Sequence, residues 1–235
     1  MADRAVNTAS APSVLVHRFS AADRVVHWSV AACILALLAT GLSLGQFMPN
    51  SINPVIAHRD VVRSVHLDAS VILIMIVVLA LGRGAPLNAL WHDVEMFTRD
   101  DWAWLRRIAV PARWRREPLP PQGRFNAGQK LNTVLTAAAV VGFVATGGLM
   151  WQGGHLASSL SSAASQWHDW LTFLIIPLIA GHIAVALLFR STRPAMRGML
   201  LGAVRLDFAR RRHARWADEV APIMAADSRQ ESTSG

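Results

Sequence analysis

The sequence contains nine histidines, and four of them, His27, His66, His168 and His182, fall within or at the edge of long apolar stretches. Ionisable side chains are costly in hydrocarbon, so each of these four asks for a functional partner. His182 sits between Leu171 and Phe189 with no charged neighbour, and His168 lies fourteen residues before it. On a helix that interval returns to within about 40° of its starting direction and rises roughly 21 Å, so both imidazoles face one way at two depths. Two neutral imidazoles from different helices at one level can bind a haem iron from both faces. With both axial positions closed, electron transfer is favoured over oxygen chemistry. No Cys or carboxylate joins the four histidines, which argues against zinc.

The elements that would position them are apolar helices. The chain has 235 residues, 53% hydrophobic and 16% charged, with no Tyr and a mean hydropathy of +0.33. That composition points to the bilayer as solvent. Val25 to Gly45, Val65 to Gly82, Leu131 to Trp151 and Trp170 to Phe189 are each long enough to cross a hydrocarbon core of roughly 30 Å. Asp68 is the only charged residue in the four. The expected fold is all-α: an integral membrane bundle of four transmembrane helices with cytoplasmic termini and an interfacial cytoplasmic helix within Leu87 to Ile108.

The expected organisation is an N-terminal arm over 1–17 and a four-helix transmembrane domain over 18–190, with helices at about 20–45, 62–83, 127–151 and 167–190. A cytoplasmic segment over 191–219 and a disordered tail over 220–235 follow. Ser20 and Asp23 fit a capping box, which starts the first helix near Ser20 and puts His27 two turns in. Trp28, Trp151, Trp167 and Trp170 fall near the expected interfaces. Pairing by depth then sets His27 with His182 and His66 with His168.

Of the 23 Lys and Arg, all but Arg59 and Arg63 lie in the N-terminal arm, the central connection or the C-terminal segment, which puts both termini in the cytoplasm. The net charge of +8 and pI near 11.5 are thereby explained by anionic headgroups rather than nucleic acid. Cys33, the one cysteine, excludes a disulfide framework or a CxxC motif. The first apolar run is longer than an ordinary signal-peptide core and is expected to stay as an anchor.

Gly41 is fourteen residues after His27, on the same face at the depth of the other pair, and Ala80 has that relation to His66. Both are candidate surfaces for haem packing, or ordinary close helix packing through small residues. Pro177, between the two histidines of the fourth span, is expected to kink it. His17, His58, His92, His155 and His213 fall in connections or tails and read as solvated. Before the third span, Asn126 and Gln129 carry amide donors and Gly128 lets a flat ring approach, which suits a quinone headgroup. An N-cap is the equal alternative for Asn126.

The chain resembles the di-haem cytochrome b (gamma) subunit of membrane-bound formate dehydrogenases. The matching motifs are Arg24-Val25-Val26-His27-Trp28, His66, Phe125-Asn126-Ala127-Gly128-Gln129-Lys130, His168, His182, and Arg193-Pro194-Ala195-Met196-Arg197-Gly198-Met199. Together they span roughly Val16 to Glu219. The resemblance implies two b-type haems, the outer on His66 and His168 and the cytoplasmic on His27 and His182. It also implies a quinone pocket at Asn126, Gly128 and Gln129 in a bacterial inner-membrane protein of the respiratory chain. Partner chains are implied as well: a catalytic subunit with a molybdenum or tungsten pterin, and an iron-sulfur subunit that feeds the outer haem. Other readings are a cytochrome b subunit of a hydrogenase or thiosulfate reductase, and a free-standing di-haem quinone oxidoreductase. A transporter using the histidines as a proton relay would be colourless.

Overall fold

The computed structural model describes residues 14–45, 58–82, 93–94, 97–114, 116–152 and 157–222. Helix α1 (Ala21–Leu44) begins at the capping box read from the sequence. The Ser20 hydroxyl accepts from the Asp23 amide at 3.1 Å, and the Asp23 carboxylate accepts from the Ser20 amide at 2.8 Å. At the other end Arg59 donates to the Leu44 carbonyl at 2.9 Å, a cation placed on a helix C-terminus where the dipole favours it.

Helices α2 (Arg59–Gly82), α4 (Ala127–Trp151) and α5 (Ser158–Leu187) complete four spans long and apolar enough to cross a membrane. The short helix α3 (Arg99–Ile108) precedes α4. Close packing runs along α1 with α2 and along α4 with α5, giving two antiparallel hairpins. In the second, a Cβ on Gly142 would come within 2.8 Å of a terminal methyl of Leu171, so the glycine leaves room for that side chain between α4 and α5. Large apolar side chains such as Val78, Leu79, Val141 and Phe173 are exposed on the outer faces. That pattern is a liability in water and the normal state in lipid.

Two boundaries differ from the hydropathy reading. α2 starts at Arg59 rather than near 62, and α5 starts at Ser158 rather than near 167. The cause is that hydropathy locates the stretch that fits the bilayer, whereas a helix continues for as long as its residues tolerate it. At 30 residues α5 is about 45 Å long, well beyond the hydrocarbon thickness. It runs as one helix through Pro177.

The all-α expectation needs correcting at one place. Leu15–His17 (β1) and Ala203–Arg205 (β2) pair antiparallel, with Val16 opposite Val204. β2 follows α6 (Pro194–Leu201) through Gly202, whose φ of 85° suits glycine. A Cβ there would stand 2.9 Å from the Phe19 carbonyl oxygen. The ribbon and α7 (Leu206–Arg212) bury Val16, Val204, Phe208, Ala209, Trp216 and Ala217 as a small core. Residues 214–222 are helical as well. The rest of the expected disordered tail, 223–235, and the first part of the expected interfacial helix, 87–92, lie outside the described residues.

This core forms a cap that joins three distant segments. Arg18 donates to the Arg124 carbonyl at 2.6 Å, Arg124 donates to the Arg18 carbonyl, and the Arg215 amide donates to the Gln122 carbonyl at 3.1 Å. Trp28 and Arg24 of α1 reach the carbonyls of Met199 and Leu200 at 3.1 and 2.7 Å. The arm, the central connection and the C-terminal segment therefore meet at one end of the bundle.

Candidate functional site

Two pairs of imidazoles bridge the hairpins. Near the cap, His27 of α1 and His182 of α5 have ring centres 6.2 Å apart with planes at 58°. Toward the other end, His66 of α2 and His168 of α5 have ring centres 6.4 Å apart with planes at 59°. A metal–imidazole nitrogen bond is about 2 Å, so two rings on opposite faces of one metal have centres roughly 6 Å apart. Both pairs have that spacing, and along α5 they are separated by a rise of roughly 21 Å. Among the described residues no cluster of three or more His, Cys, Asp or Glu could hold a metal ion. Two-nitrogen sites of this kind suit a metal that already carries its equatorial ligands in a macrocycle.

The pairs are supported differently. Each ring of the far pair is tied through Nδ1 to a threonine on the neighbouring helix, His66 to Thr40 and His168 to Thr146, both at 2.8 Å. Gly41 stands against this pair: a Cβ there would lie 3.3 Å from His66 Cε1. His27 instead meets the edge of Trp28, ring centres 5.4 Å apart. Sequence reasoning missed both threonines. The signal available was the tripeptide Ala-Thr-Gly, present at 39–41 and again at 145–147.

At the cap end, Asn126 and Gln129 form a reciprocal capping box on α4. Asn126 Oδ1 accepts from the Gln129 amide at 2.9 Å, and Gln129 Oε1 accepts from the Asn126 amide at 3.0 Å. The cap uses the two oxygens, so the side-chain NH2 groups are not consumed by it. The flat ring against Gly128 is the indole of Trp104 from α3, 3.4 Å from where a Cβ would be. Next along the chain, Lys130 is buried and pairs with the fully buried Asp101 at 3.0 Å. Burial alone would raise the Asp101 pKa, but the bonds from Thr98 and Lys130 outweigh it and hold it below the usual carboxylate value. A cavity of about 500 Å³ has Phe125, Lys130, Arg124 and Arg215 in its wall; Asn126, Gly128 and Gln129 are not part of that wall.

One histidine read as solvated is not. His213 is 2% exposed, its Nδ1 lies 2.9 Å from the Gly123 carbonyl, and its ring stands edge-on to Trp216. Burial first, and the charge of Arg18 second, push its pKa down to about 3, so it is neutral at any ordinary pH. The small core that encloses it is assembled by a strand pairing between segments far apart in sequence, and no local pattern marks it. His17 and His58 are exposed as expected, and His92 and His155 lie outside the described residues.

Comparison with known proteins identifies the family. The family model described as prokaryotic cytochrome b561 matches residues 18–202, which include all four histidines. The chain belongs to the prokaryotic cytochrome b561 family. Membership brings haem b as the family's cofactor and a prokaryotic membrane as its setting. Curated relatives of this cytochrome b561-family chain include the formate dehydrogenase cytochrome b556(fdo) subunit of Escherichia coli, 26% identical over 212 residues, covering 86% of this chain and 92% of that protein. The formate dehydrogenase cytochrome b556 subunit of Haemophilus influenzae is 22% identical over 88% of this chain and 83% of its own length. The nitrate-inducible cytochrome b556(Fdn) subunit of E. coli is 21% identical over 95% of this chain and 98% of its own.

Proposed function

We propose that this cytochrome b561-family chain is the electron-transfer subunit of a formate dehydrogenase complex, carrying electrons through two b-type haems to a membrane quinone. The observation that carries the reading is the pair of imidazole couples, 6.2 and 6.4 Å between ring centres, at two levels of a four-span bundle. His66 and His168 would hold one haem, and His27 and His182 the other. A bound haem supplies a one-electron iron couple. The chain's own work would be to hold each haem between two imidazoles, to keep the two sites at fixed levels, and to surround them with apolar helix faces that exclude water.

Positive charge orients the molecule. The three segments that meet in the cap hold nearly all the Lys and Arg, so the cap end faces the cytoplasm of an inner membrane, with both termini on that side. The His27/His182 haem is then the cytoplasmic one and His66/His168 the outer one. A quinone headgroup would lie beside the former at Asn126, Gly128 and Gln129, its carbonyl accepting from the side-chain NH2 groups of Asn126 and Gln129. Gly41 would let the outer macrocycle approach α1 beside His66. The formate donor rests on the relatives, whose names make them cytochrome b556 subunits of formate dehydrogenases. The catalytic pterin and iron-sulfur centres would belong to partner chains, since a single cysteine cannot build a cluster.

The test is haem quantitation with a reduced-minus-oxidised spectrum on the wild type and on His182→Ala. Two haems per chain, falling to about one in the variant, is the expected result; a colourless wild type, or a variant with unchanged haem, removes the reading. Purification in mild detergent separates the rivals: molybdenum or tungsten and iron-sulfur partners support a dehydrogenase subunit, and a haem protein alone points to a free-standing oxidoreductase.

A further inference from the structure

The tripeptides Ala39-Thr40-Gly41 on α1 and Ala145-Thr146-Gly147 on α4 do the same thing twice. Each threonine meets the Nδ1 of a histidine on its hairpin partner at 2.8 Å, Thr40 that of His66 and Thr146 that of His168. Each hydroxyl also donates back to its own helix, Thr40 to the Ala36 carbonyl at 2.7 Å and Thr146 to the Gly142 carbonyl at 2.8 Å. The glycine that follows faces the same ring: a Cβ would be 3.3 Å from His66 Cε1 at Gly41 and 3.6 Å from His168 Cε1 at Gly147.

A hydroxyl has one hydrogen and two lone pairs. With the hydrogen committed to the helix carbonyl, the oxygen can meet the ring only as an acceptor, so Nδ1 must carry the ring hydrogen. Nε2 is then left with its lone pair, the state a metal ligand requires. We infer that Thr40 and Thr146 are positioning residues that lock His66 and His168 in the Nδ1–H tautomer and aim Nε2 of each at one shared haem iron. This rests on the haem reading above, and adds to it a matched clamp, one from each hairpin, on the His66/His168 haem. A hydroxyl–imidazole bond can also serve as plain glue between membrane helices. Glue alone requires no fixed tautomer, and it gives no reason for the bond to recur at two imidazoles facing each other across 6.4 Å.

Donation from Nδ1–H to an oxygen makes the imidazole a stronger electron donor, which favours ferric iron and lowers the potential. Removing such a partner typically costs about 10–100-fold in metal affinity. The experiment uses the full chain with whatever partners copurify in mild detergent. Thr40→Val and Thr146→Val keep the side-chain shape without the hydroxyl, and Thr40→Ser and Thr146→Ser restore the hydroxyl. Haem retention on dilution and a spectroelectrochemical titration are the readouts. In the valine variants one of two haems should be held about 10–100-fold more weakly and titrate at a higher potential, with the other unmoved; the serine variants should return to wild type. Should the valine variants not accumulate, Thr40→Ala and Thr146→Ala carry the same expectation in less space. Valine variants with wild-type retention and potentials, or an equal change in both haems, overturn the clamp while a two-haem wild type leaves the parent reading standing. A wild type without haem removes both.

Discussion

The two histidine pairs share a spacing and differ in what surrounds them. At the far end of the bundle, His66 and His168 are each held by a threonine at 2.8 Å, and the polar groups involved are few and local. At the cap end, among the described residues, no hydrogen bond reaches the rings of His27 and His182. Nearby lie a buried Lys130–Asp101 ion pair, a buried Arg18 and a buried neutral His213. One end fixes its imidazoles directly. The other end of the bundle carries a cap that ties three chain segments together.

The sharpest way to break the comparison is to combine substitutions within and across the pairs. His66→Ala with His168→Ala should lose one haem, no more than either single variant, because both remove the same site. His66→Ala with His27→Ala should lose both. Haem-to-protein ratios measure this, and a pattern in which the within-pair double variant loses both haems would mean that the pairs are wrongly drawn.

Next in size is the cap's ion pair. Lys130→Met leaves the Asp101 carboxylate buried without its cation, a change that costs about 3–5 kcal/mol. A strongly lowered melting temperature is expected. The far haem should keep its potential in whatever fraction stays folded, because the damage is confined to the cap end.

The third probe is pH. His213 has a folded pKa of about 3, below its ordinary value of 6.5, so below 6.5 the unfolded chain binds a proton that the folded chain does not. The stability this group contributes is complete above pH 6.5 and is lost progressively as pH falls toward 3. Melting temperatures at pH 7 and pH 5 should therefore diverge more for wild type than for His213→Gln. The smallest effect is at the helix cap: Asn126→Ala should cost about 1 kcal/mol in stability. Under the quinone proposal it should also raise the KM for quinone with haem content unchanged. Equal KM values would keep Asn126 as a cap only.

Much of this is legible in the sequence. Helix α1 starts at Ser20-Asp23 because a capping box is a local signal, and the four spans follow from apolar length. The levels at which His27, His66, His168 and His182 lie are set by helix rise and chain direction, both of which sequence numbering carries. What was not legible depends on contacts between distant segments. The β1–β2 ribbon joins three-residue strands nearly the whole chain apart, too short to show a pattern, and the burial of His213 depends on it. The start of α5 at Ser158 was hidden because its first turns are polar and carry no hydropathy signal. The threonine contacts turn on how each hairpin's helices are rotated against each other, which spacing along one chain does not state.

The proposed function requires two irons, each closed on both faces by imidazole. Electron paramagnetic resonance of the oxidised protein reads this without any assay of activity. Two low-spin ferric signals are predicted in the wild type, with one replaced or lost in His66→Ala and the other in His182→Ala. A high-spin signal in the untreated wild type would mean an open axial position, and would contradict the claim.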